Sequence, residues 1–339
     1  MIEVEGLGKD FLVPEKEPGV WGSLRALVAP RHRPVTAVAD VTFTVAPGEL
    51  LAFIGPNGAG KSTTIKMLTG ILHPSRGRAR VLGFVPWEDR QQLSFHIGSV
   101  FGQRSQLWLH LPPLDSFNLL ARMYELPDDL YRQRLDRLVA VFELGDLLAV
   151  PVRKLSLGQR MRCEIAAALL HDPRVLFLDE PTIGLDVIAK EAVRDLILRA
   201  NRDAGVTIFL TSHDAGDIEK LCRRVIIIDH GQVLLDADVQ SLRRSPHFSI
   251  RTVGARLSRP ADGFACDGVE ILKRKGPGLK LRVDTAATPI DHVLQALQAY
   301  ARIEDITVRT PSLDQIIAHI YRQKGLPASA PAEPAEEDE

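Results

Sequence analysis

Residues 50–63 read LLAFIGPNGAGKST, an apolar run followed at once by a glycine-rich turn that ends in Lys-Ser-Thr. The turn has the pattern Gly-x-x-x-x-Gly-Lys-Ser/Thr in the order strand, loop, helix, which is typical of loops that bind a nucleoside triphosphate with magnesium. Glycines let such a loop bend tightly and turn its N–H groups toward the phosphates, and the following helix points its positive end at the same place. A purely structural glycine turn is the alternative, but it does not account for the flanking strand and helix.

Each side chain of this loop has an expected place around the triphosphate. Lys61 would place a point charge at the β- and γ-phosphates, and Ser62 would supply a hydroxyl to Mg²⁺. The predicted nucleotide-binding residues of the loop are Gly55, Pro56, Asn57, Gly58, Ala59, Gly60, Lys61, Ser62 and Thr63.

Composition narrows the class of protein. The chain has 339 residues, of which 45% are hydrophobic and 25% charged, with a formal net charge of −1, as expected of a globular protein of two domains. A nearly neutral chain has no overall attraction for nucleic acid, so none is expected as a partner. No apolar run reaches the roughly 18 residues that span a bilayer, and residues 1–5 do not resemble a secretory signal. Cys163, Cys222 and Cys266 lack metal-ligand spacing and are expected to be reduced thiols.

The order of apolar patterns predicts a mostly parallel α/β core. Strands are expected at 1–6 and 40–46, helices over 114–150, and buried or paired strands at 174–178, 206–211, 225–229 and 232–235. An insert at about 12–36 carries Trp21, Leu24 and Leu27 at helical spacing, which indicates a short amphipathic helix.

A different pattern follows residue 245. Strands at 247–252, 268–273, 279–284 and 303–309 alternate with two helices, which predicts a small α+β domain over 245–325. Thr288 before Pro289 resembles a helix start, and residues 312–315 resemble a capping box. Residues 326–339 are rich in Pro, Ala and Glu and are expected to form a disordered acidic tail.

Two carboxylates end the buried run 174–178. In Leu176-Phe177-Leu178-Asp179-Glu180, an aspartate at a strand end is suited to holding Mg²⁺, and the next glutamate is suited to polarising a water. A pair of this kind is often only the start of a solvated loop. Downstream of a phosphate-binding loop, the magnesium and general-base interpretation is favoured.

Leu155-Ser156-Leu157-Gly158-Gln159 opens a helix rich in Arg and Ala, and here the chain resembles the nucleotide-binding subunits of ABC transporters, whose hallmark is an LSGGQ-like segment. The resemblance extends over residues 1–240, with Leu157 in place of the first glycine. It implies that Glu180, His213, Lys61 and Gln103 are catalytic and that Ser62, Gln103 and Asp179 bind the metal. It also implies nucleotide contacts from Phe11, Ser156, Gly158, Gln159 and Asp186. Trp21 is an alternative to Phe11 as the aromatic that stacks on the base.

The resemblance implies a fold and an activity, which is the hydrolysis of ATP to power transport across a membrane. The expected fold is an α/β, P-loop NTPase ABC cassette over 1–240, with an antiparallel β subdomain, a helical subdomain at about 104–170 and the small C-terminal α+β domain. ATP and Mg²⁺ are the implied cofactors, and a homodimer of cassettes acting on a separate membrane permease is the implied assembly. The expected location is the cytoplasmic face of the plasma (inner) membrane. The motifs most resemble the branch that serves drug and polysaccharide export.

Other classes fit less well. A soluble ABC ATPase acting on a macromolecule such as the ribosome is the main alternative. A P-loop GTPase or kinase is disfavoured because no Asn-Lys-x-Asp motif occurs, and a regulatory module without hydrolysis is disfavoured by Glu180 and His213. The apolar segment 104–113 is compatible with gripping a permease helix and equally with packing into the core.

Overall fold

The computed structural model describes residues 1–14, 32–102, 105–212, 214–244, 250–309 and 313–323. It divides into two units, Met1–Ala237 and Asp238–Glu339, each with its own sheet. The predicted acidic tail lies outside the described residues, as do Ser312 of the predicted capping box and the insert residues 15–31.

Among the described residues, nine strands form the sheet of the first unit. They are β1 (Ile2–Pro14), β2 (His32–Val45), β3 (Leu50–Ile54), β4 (Arg76–Val81), β5 (Ile97–Phe101), β6 (Val175–Asp179), β7 (Thr207–Thr211), β8 (Arg224–Asp229) and β9 (Gln232–Asp238). Their order across the sheet is β4-β1-β2-β9-β8-β3-β7-β6-β5. Strands β8, β3, β7, β6 and β5 are parallel to one another, while β4, β1 and β2 pair antiparallel. The predicted α/β class is therefore confirmed.

Apolar burial explains why the parallel strands lie at the centre. Every residue of β3 and β7 is buried, and strands covered on both faces are expected to be continuous apolar runs. The Phe43, Phe53 and Phe209 rings form a cluster with centroids 5.1–5.8 Å apart. This core fixes the strands from which the polar loops of the unit emerge.

Strands β1 and β2 are longer than the sequence pattern predicts. Strands were expected only at 1–6 and 40–46, but the two strands pair as far as Pro14 and His32. Their register shifts between Val4 and Leu7 and again between Leu7 and Lys9. Such irregularities interrupt the two-residue alternation of side chains, so the periodicity that predicts a strand is lost although pairing continues.

Seven α-helices accompany the sheet among the described residues of this unit. They are α1 (Lys61–Leu68), α2 (Arg90–Ser94), α3 (Pro113–Met123), α4 (Asp128–Phe142), α5 (Leu157–Leu169), α6 (Val187–Ala204) and α7 (Ala215–Leu221). Helices α3, α4 and α5 follow one another between β5 and β6. In the part of the chain that the structure describes, no helix is both long enough and apolar enough to cross a bilayer.

The second unit is a four-stranded antiparallel sheet with helices. Its strands have the order β11-β12-β10-β13, and its buried core includes Val253, Leu281 and Leu297. Its elements are α8 (Val239–Arg244), β10 (Ile250–Leu257), β11 (Val269–Lys275), β12 (Gly278–Asp284), α9 (Ile290–Tyr300), β13 (Ile303–Arg309) and α10 (Leu313–Gln323).

The predicted start of α9 is wrong in detail. Pro289 itself is the N-cap and makes no side-chain cap, while the Thr288 hydroxyl lies 3.5 Å from the Gly268 carbonyl oxygen. The Thr288 hydroxyl therefore contacts a residue distant in sequence, and it does not cap the helix as the local pattern predicted.

A buried histidine follows α5. The His171 ring stacks on Tyr124 with centroids 3.9 Å apart, and its Nε2 lies 2.9 Å from the Ile97 carbonyl oxygen. Burial lowers the pKa of His171 to about 4, although the Ile97 carbonyl acts in the opposite direction. The imidazole is consequently neutral in the folded protein at pH 7.

We predict that His171 makes the folded state sensitive to acid. Because the pKa is lower in the folded than in the unfolded state, the unfolded state binds the proton first, and stability falls as pH drops from about 6.5 toward about 4. Between about pH 7.5 and about pH 5 this amounts to about 2 kcal/mol of unfolding free energy. His171→Phe should remove that part of the pH dependence in urea unfolding. The exposed His96→Gln is the control, and parallel pH profiles for wild type and His171→Phe would contradict the prediction.

Candidate functional site

The ends of four parallel strands line up in one transverse row. In the register of the sheet, Phe101 of β5 pairs with Asp179 of β6, Asp179 with Thr211 of β7, and Thr211 with Phe53 of β3. The loops that follow these residues therefore start at the same edge. They lead to Gly55, Gln103, Glu180 and His213, which the sequence singled out in four separate segments.

The glycine-rich loop is closely fitted to its surroundings. A Cβ atom on Gly55 would lie 2.4 Å from the Ile228 carbonyl oxygen, and one on Gly60 would lie 2.6 Å from the Ala37 carbonyl oxygen. Gly60 has φ +103° and Gly58 has φ +85°, in the left-handed region, but a Cβ on Gly58 would meet no atom within 4 Å. Pro56 is half-buried and Asn57 and Gly58 are exposed, whereas Ala59 and Gly60 are buried. The loop is thus closely packed at Gly55 and Gly60 and exposed in between, at Asn57 and Gly58.

Lys61 is buried at the base of this loop. Its Nζ donates to the carbonyl oxygens of Gly55 and Pro56 at 2.7 and 3.2 Å and lies 3.7 Å from Oε1 of Glu180. Ser62 and Thr63, the next two residues of α1, are half-buried. The structure therefore brings the loop lysine and the predicted general base together.

A threonine connects the two carboxylates to β7. The Thr211 hydroxyl donates to Oδ1 of Asp179 at 2.6 Å, and the Glu180 N–H donates to the Thr211 carbonyl and hydroxyl oxygens at 3.1 Å each. Glu180 has φ +54°, a conformation that costs on the order of 1–3 kcal/mol for a residue other than glycine. The chain therefore turns sharply at Glu180, directly after β6 ends at Asp179.

Two of the predicted residues, Gln103 and His213, lie outside the described residues, but the residue that precedes each of them is described. Gly102 donates its N–H to the Asp179 carbonyl at 2.9 Å, and a Cβ on Gly102 would lie 2.8 Å from the Glu180 carbonyl oxygen. Ser212 is buried beside the end of β7. Gly102, which precedes Gln103, thus lies beside Asp179 and Glu180, and Ser212, which precedes His213, follows directly on β7.

The LSLGQ segment forms a capped helix start. Ser156 is the N-cap of α5: its hydroxyl oxygen accepts from the Gln159 N–H at 3.2 Å, and the Gln159 side chain accepts from the Ser156 N–H at 2.9 Å. Leu157 in place of glycine is accommodated as the first helical residue and is 36% exposed.

The same segment adjoins the start of α6. A Cβ on Gly158 would meet Cβ of Ala189 at 2.7 Å, and one on Gly184 would meet Cδ2 of Leu157 at 3.2 Å. Asp186 caps α6, its carboxylate accepting from the Ala189 N–H at 2.8 Å, a role that aspartate commonly has at the start of a helix.

Phe11 lies on the outer part of β1. It pairs with Val35 in the register, is 36% exposed, and has the Lys9 ammonium 5.3 Å from its ring centroid. An exposed ring face is compatible with stacking on a base. Trp21, the alternative, lies outside the described residues.

Sequence reasoning missed a polar hub close to Glu180 and His213. Asp217 on α7 is completely buried and accepts hydrogen bonds from Thr182, Ser212 and Arg194. The residues belong to three separate segments, so no local spacing signals the cluster. The only available hint was that Thr182 and Ser212 each stand close to a predicted site residue.

Fold and site together define a P-loop nucleotide-binding protein, and comparisons identify its family. Residues 38–183 match the family described as ABC transporter. The chain is 30% identical over 279 residues to YhcH of Bacillus subtilis, an uncharacterized ABC transporter ATP-binding protein, covering 82% of this chain and 89% of YhcH. It is 31% identical over 286 residues to DrrA of Streptomyces peucetius, a daunorubicin/doxorubicin resistance ATP-binding protein, covering 83% and 86%.

A solved structure shows the same fold. The dimeric ATP-binding cassette MJ0796 bound to ADP and Pi matches with a TM-score of 0.59 at 23% identity, over 70% of this chain and 99% of that one. The chain belongs to the ABC transporter ATP-binding proteins. It is an ABC ATPase, the ATP-binding subunit of an ABC transporter.

We predict that alanine at Gly60 is worse tolerated than alanine at Gly58. Both substitutions place a Cβ in the left-handed region, and each should therefore lower the free energy of unfolding by about 1–2 kcal/mol. Only Gly60→Ala also drives the Cβ into the Ala37 carbonyl, which should add about 1–3 kcal/mol. Urea unfolding of both variants without nucleotide tests this, and equal losses of stability would contradict it.

Proposed function

We propose that this chain powers export through a separate membrane permease, by closing as a homodimer on two ATP·Mg²⁺ and reopening after hydrolysis. The observation that carries the proposal is the row of strand ends, which brings Lys61 Nζ to 3.7 Å from Glu180 and connects Glu180 to the Asp179–Thr211 pair. A lysine for the phosphates, an acid for the metal and a base for water then share one edge of the sheet.

The donor set at this edge suits magnesium. Mg²⁺ is usually held by one or two protein oxygens together with phosphates and water, not by a dedicated cage of side chains. A Ser62 hydroxyl and an Asp179 carboxylate are ligands of this kind, and no group of three or more His, Cys, Asp or Glu suited to a metal occurs among the described residues. When bound there, Mg²⁺ would neutralise phosphate charge. Gln103 is the further proposed ligand.

The hydrolytic roles follow from these positions. Lys61 would exchange the carbonyls of Gly55 and Pro56 for phosphate oxygens. Glu180 would orient and deprotonate the attacking water, His213 would hold the γ-phosphate, and Phe11 would stack on the adenine. The loop residues Asn57, Gly58, Ala59, Gly60 and Thr63 would surround the phosphates with N–H groups.

A second copy would complete each site. Ser156, Gly158, Gln159 and Asp186 would face the ATP held by the other chain, as the family resemblance implies. The exposed apolar side chains near them support this arrangement, because Val187 is 76% and Ile188 84% exposed and a partner surface would cover them. The related MJ0796 cassette was solved as a dimer.

An apolar patch supports docking to a permease. Trp108, Leu109 and Leu111 are each 41–44% exposed, and Leu119 and Met123 on α3 are 45% and 61% exposed. Buried anchors hold the segment: Leu107 is 2% exposed, and the Gln106 side chain donates to the Glu164 carbonyl on α5 at 2.8 Å. The segment is therefore partly packed into the core and partly exposed, so it remains compatible with both interpretations of the sequence, core packing and contact with a permease helix. Binding there would place the chain at the cytoplasmic face of the inner membrane.

The direction of transport is proposed from the relatives. DrrA is named for resistance to daunorubicin and doxorubicin, and its alignment of 286 residues is longer than the 237 residues of the first unit. The likeness must therefore extend into the second unit, which supports a shared architecture beyond the cassette.

We predict that Glu180→Gln traps an ATP-bound dimer. The amide keeps the shape but cannot accept the proton of water, so phosphate release should fall on the order of 100-fold or more. Light scattering with ATP·Mg²⁺ should detect a dimer. Lys61→Met, which removes the phosphate contact, should leave a monomer under the same conditions. Wild-type turnover by Glu180→Gln would refute its role as the base.

We predict that a tagged Glu180→Gln chain co-purifies from membranes with a multi-span permease when ATP·Mg²⁺ is present. Adding Leu109→Asp should reduce permease recovery by at least about tenfold, because a carboxylate would be buried without a partner. Ile71→Asp is the control, since Ile71 is equally exposed at 44% and lies outside the patch. Recovery of ribosomes in place of a permease would favour a soluble ABC ATPase.

A further inference from the structure

Asp217 joins three parts of the first unit through one buried carboxylate. Its Oδ2 accepts from the Thr182 hydroxyl at 2.5 Å and from the Ser212 hydroxyl at 2.8 Å. Its Oδ1 accepts from Nε of Arg194 at 2.7 Å and lies 2.6 Å from Nη2 of the same guanidinium. The loop after β6, the end of β7 and helix α6 are thereby connected at a single point.

The two hydroxyl residues that bond Asp217 stand close in sequence to the proposed reactive residues. Thr182 stands two residues after Glu180, and Ser212 stands directly before His213. Thr211 already links the same two loops, since it bonds both Asp179 and the Glu180 N–H. Asp217 adds a second link between them, which joins Thr182, after Glu180, to Ser212, directly before His213.

Stability alone does not explain why a buried ion pair connects these loops. Asp217 is 0% and Arg194 7% exposed, and a buried pair is often no more stabilising than apolar residues of similar volume. Burial acts to lower the pKa of the Arg194 guanidinium, but the hydrogen bonds and charges of Asp217 and Asp214 more than offset it and leave that pKa raised. The Arg194 guanidinium therefore stays charged beside the Asp217 carboxylate, and its hydrogen bond to Asp217 has a fixed direction.

Arg194 extends the hub along α6 and α7. It lies 2.9 Å from Glu191 and 3.5 Å from Asp214, while Lys190 donates to Asp214 at 2.5 Å. Asp214 follows His213 and caps α7 by accepting from the Gly216 N–H at 2.8 Å. Both sequence neighbours of His213 are therefore bonded into one network, which continues to the helix that Asp186 caps.

We propose that Asp217, with Arg194, is a positioning residue for ATP hydrolysis: it holds the loops of Glu180 and His213 at the separation that the attacking water and the γ-phosphate require. This rests on the proposed roles of Glu180 and His213. Neither Asp217 nor Arg194 touches the nucleotide in this proposal. Displacing a reacting group by about 1 Å can lower a rate on the order of 100-fold, so loosening the hub should affect turnover more than ATP binding.

Thr182 offers the sharpest test because two substitutions separate its hydroxyl from its methyl group. Thr182→Val removes the donor to Asp217 at nearly constant shape, and Thr182→Ser keeps it. In the purified full chain with ATP·Mg²⁺, we expect Thr182→Val to lower kcat about tenfold or more, with KM within about threefold. Thr182→Ser should retain nearly wild-type kcat. Wild-type kcat in Thr182→Val, or equal losses in both variants, would overturn the proposal.

A second set of variants excludes a general effect of weakened folding. Arg194→Met should lower kcat, and its effect should not add to that of Thr182→Val, because both act through Asp217. The control is Arg224→Met: Arg224 bridges Asp236 and Glu49 and pairs with Leu51 at the opposite end of β3. It should lose stability in urea but keep kcat. Equal kcat losses in the two arginine variants would refute the positioning role.

Glu180→Gln in the same assay distinguishes the two proposals. If it abolishes turnover while Thr182→Val retains the wild-type kcat, the positioning role alone is overturned. If Glu180→Gln turns over at the wild-type rate, Glu180 is not the base, and the positioning role is overturned with it.

Discussion

In-register pairing of parallel strands is the constraint on which the candidate site depends. Backbone hydrogen bonds across β5, β6, β7 and β3 align Phe101, Asp179, Thr211 and Phe53 in one row. Because parallel strands end at a common edge, the loops that follow emerge side by side. The apolar core performs no chemistry, but by fixing this register it determines where the lysine, the carboxylates and the following loops begin.

Polar contacts then refine what the strands position coarsely. The left-handed backbone of Glu180 is unfavourable by itself, and it persists because surrounding hydrogen bonds determine it. Thr211 supplies these bonds from β7, so one hydroxyl residue both holds Asp179 and stabilises the turn at Glu180. Gly102 packs so closely against the Asp179 and Glu180 carbonyls that a Cβ there would lie 2.8 Å from each oxygen, which leaves no room for a side chain.

The sequence predicts features whose causes are local and misses those whose causes are distant. The glycine pattern of 55–60 and the apolar runs that form β6 and β7 depend on residues a few positions apart. The Asp217 hub depends on Thr182, Ser212 and Arg194, which only the fold brings together. Similarly, Thr288 bonds Gly268 across the second unit and not its own helix, and the shifts in β1 hide a strand that pairing with β2 maintains.

Helix α5 shows how a single element could serve both nucleotide and permease. The Ser156 hydroxyl oxygen accepts from the Gln159 N–H, which uses a lone pair and leaves the hydroxyl proton to donate to a phosphate of the partner's ATP. Capping the helix and contacting nucleotide are therefore compatible. Two turns further along, the buried Glu164 carboxylate accepts from Ser105 and from the Gln106 N–H, which anchors the exposed Trp108 segment to the same helix. One helix therefore carries both the Ser156 cap and the buried anchor of the apolar segment.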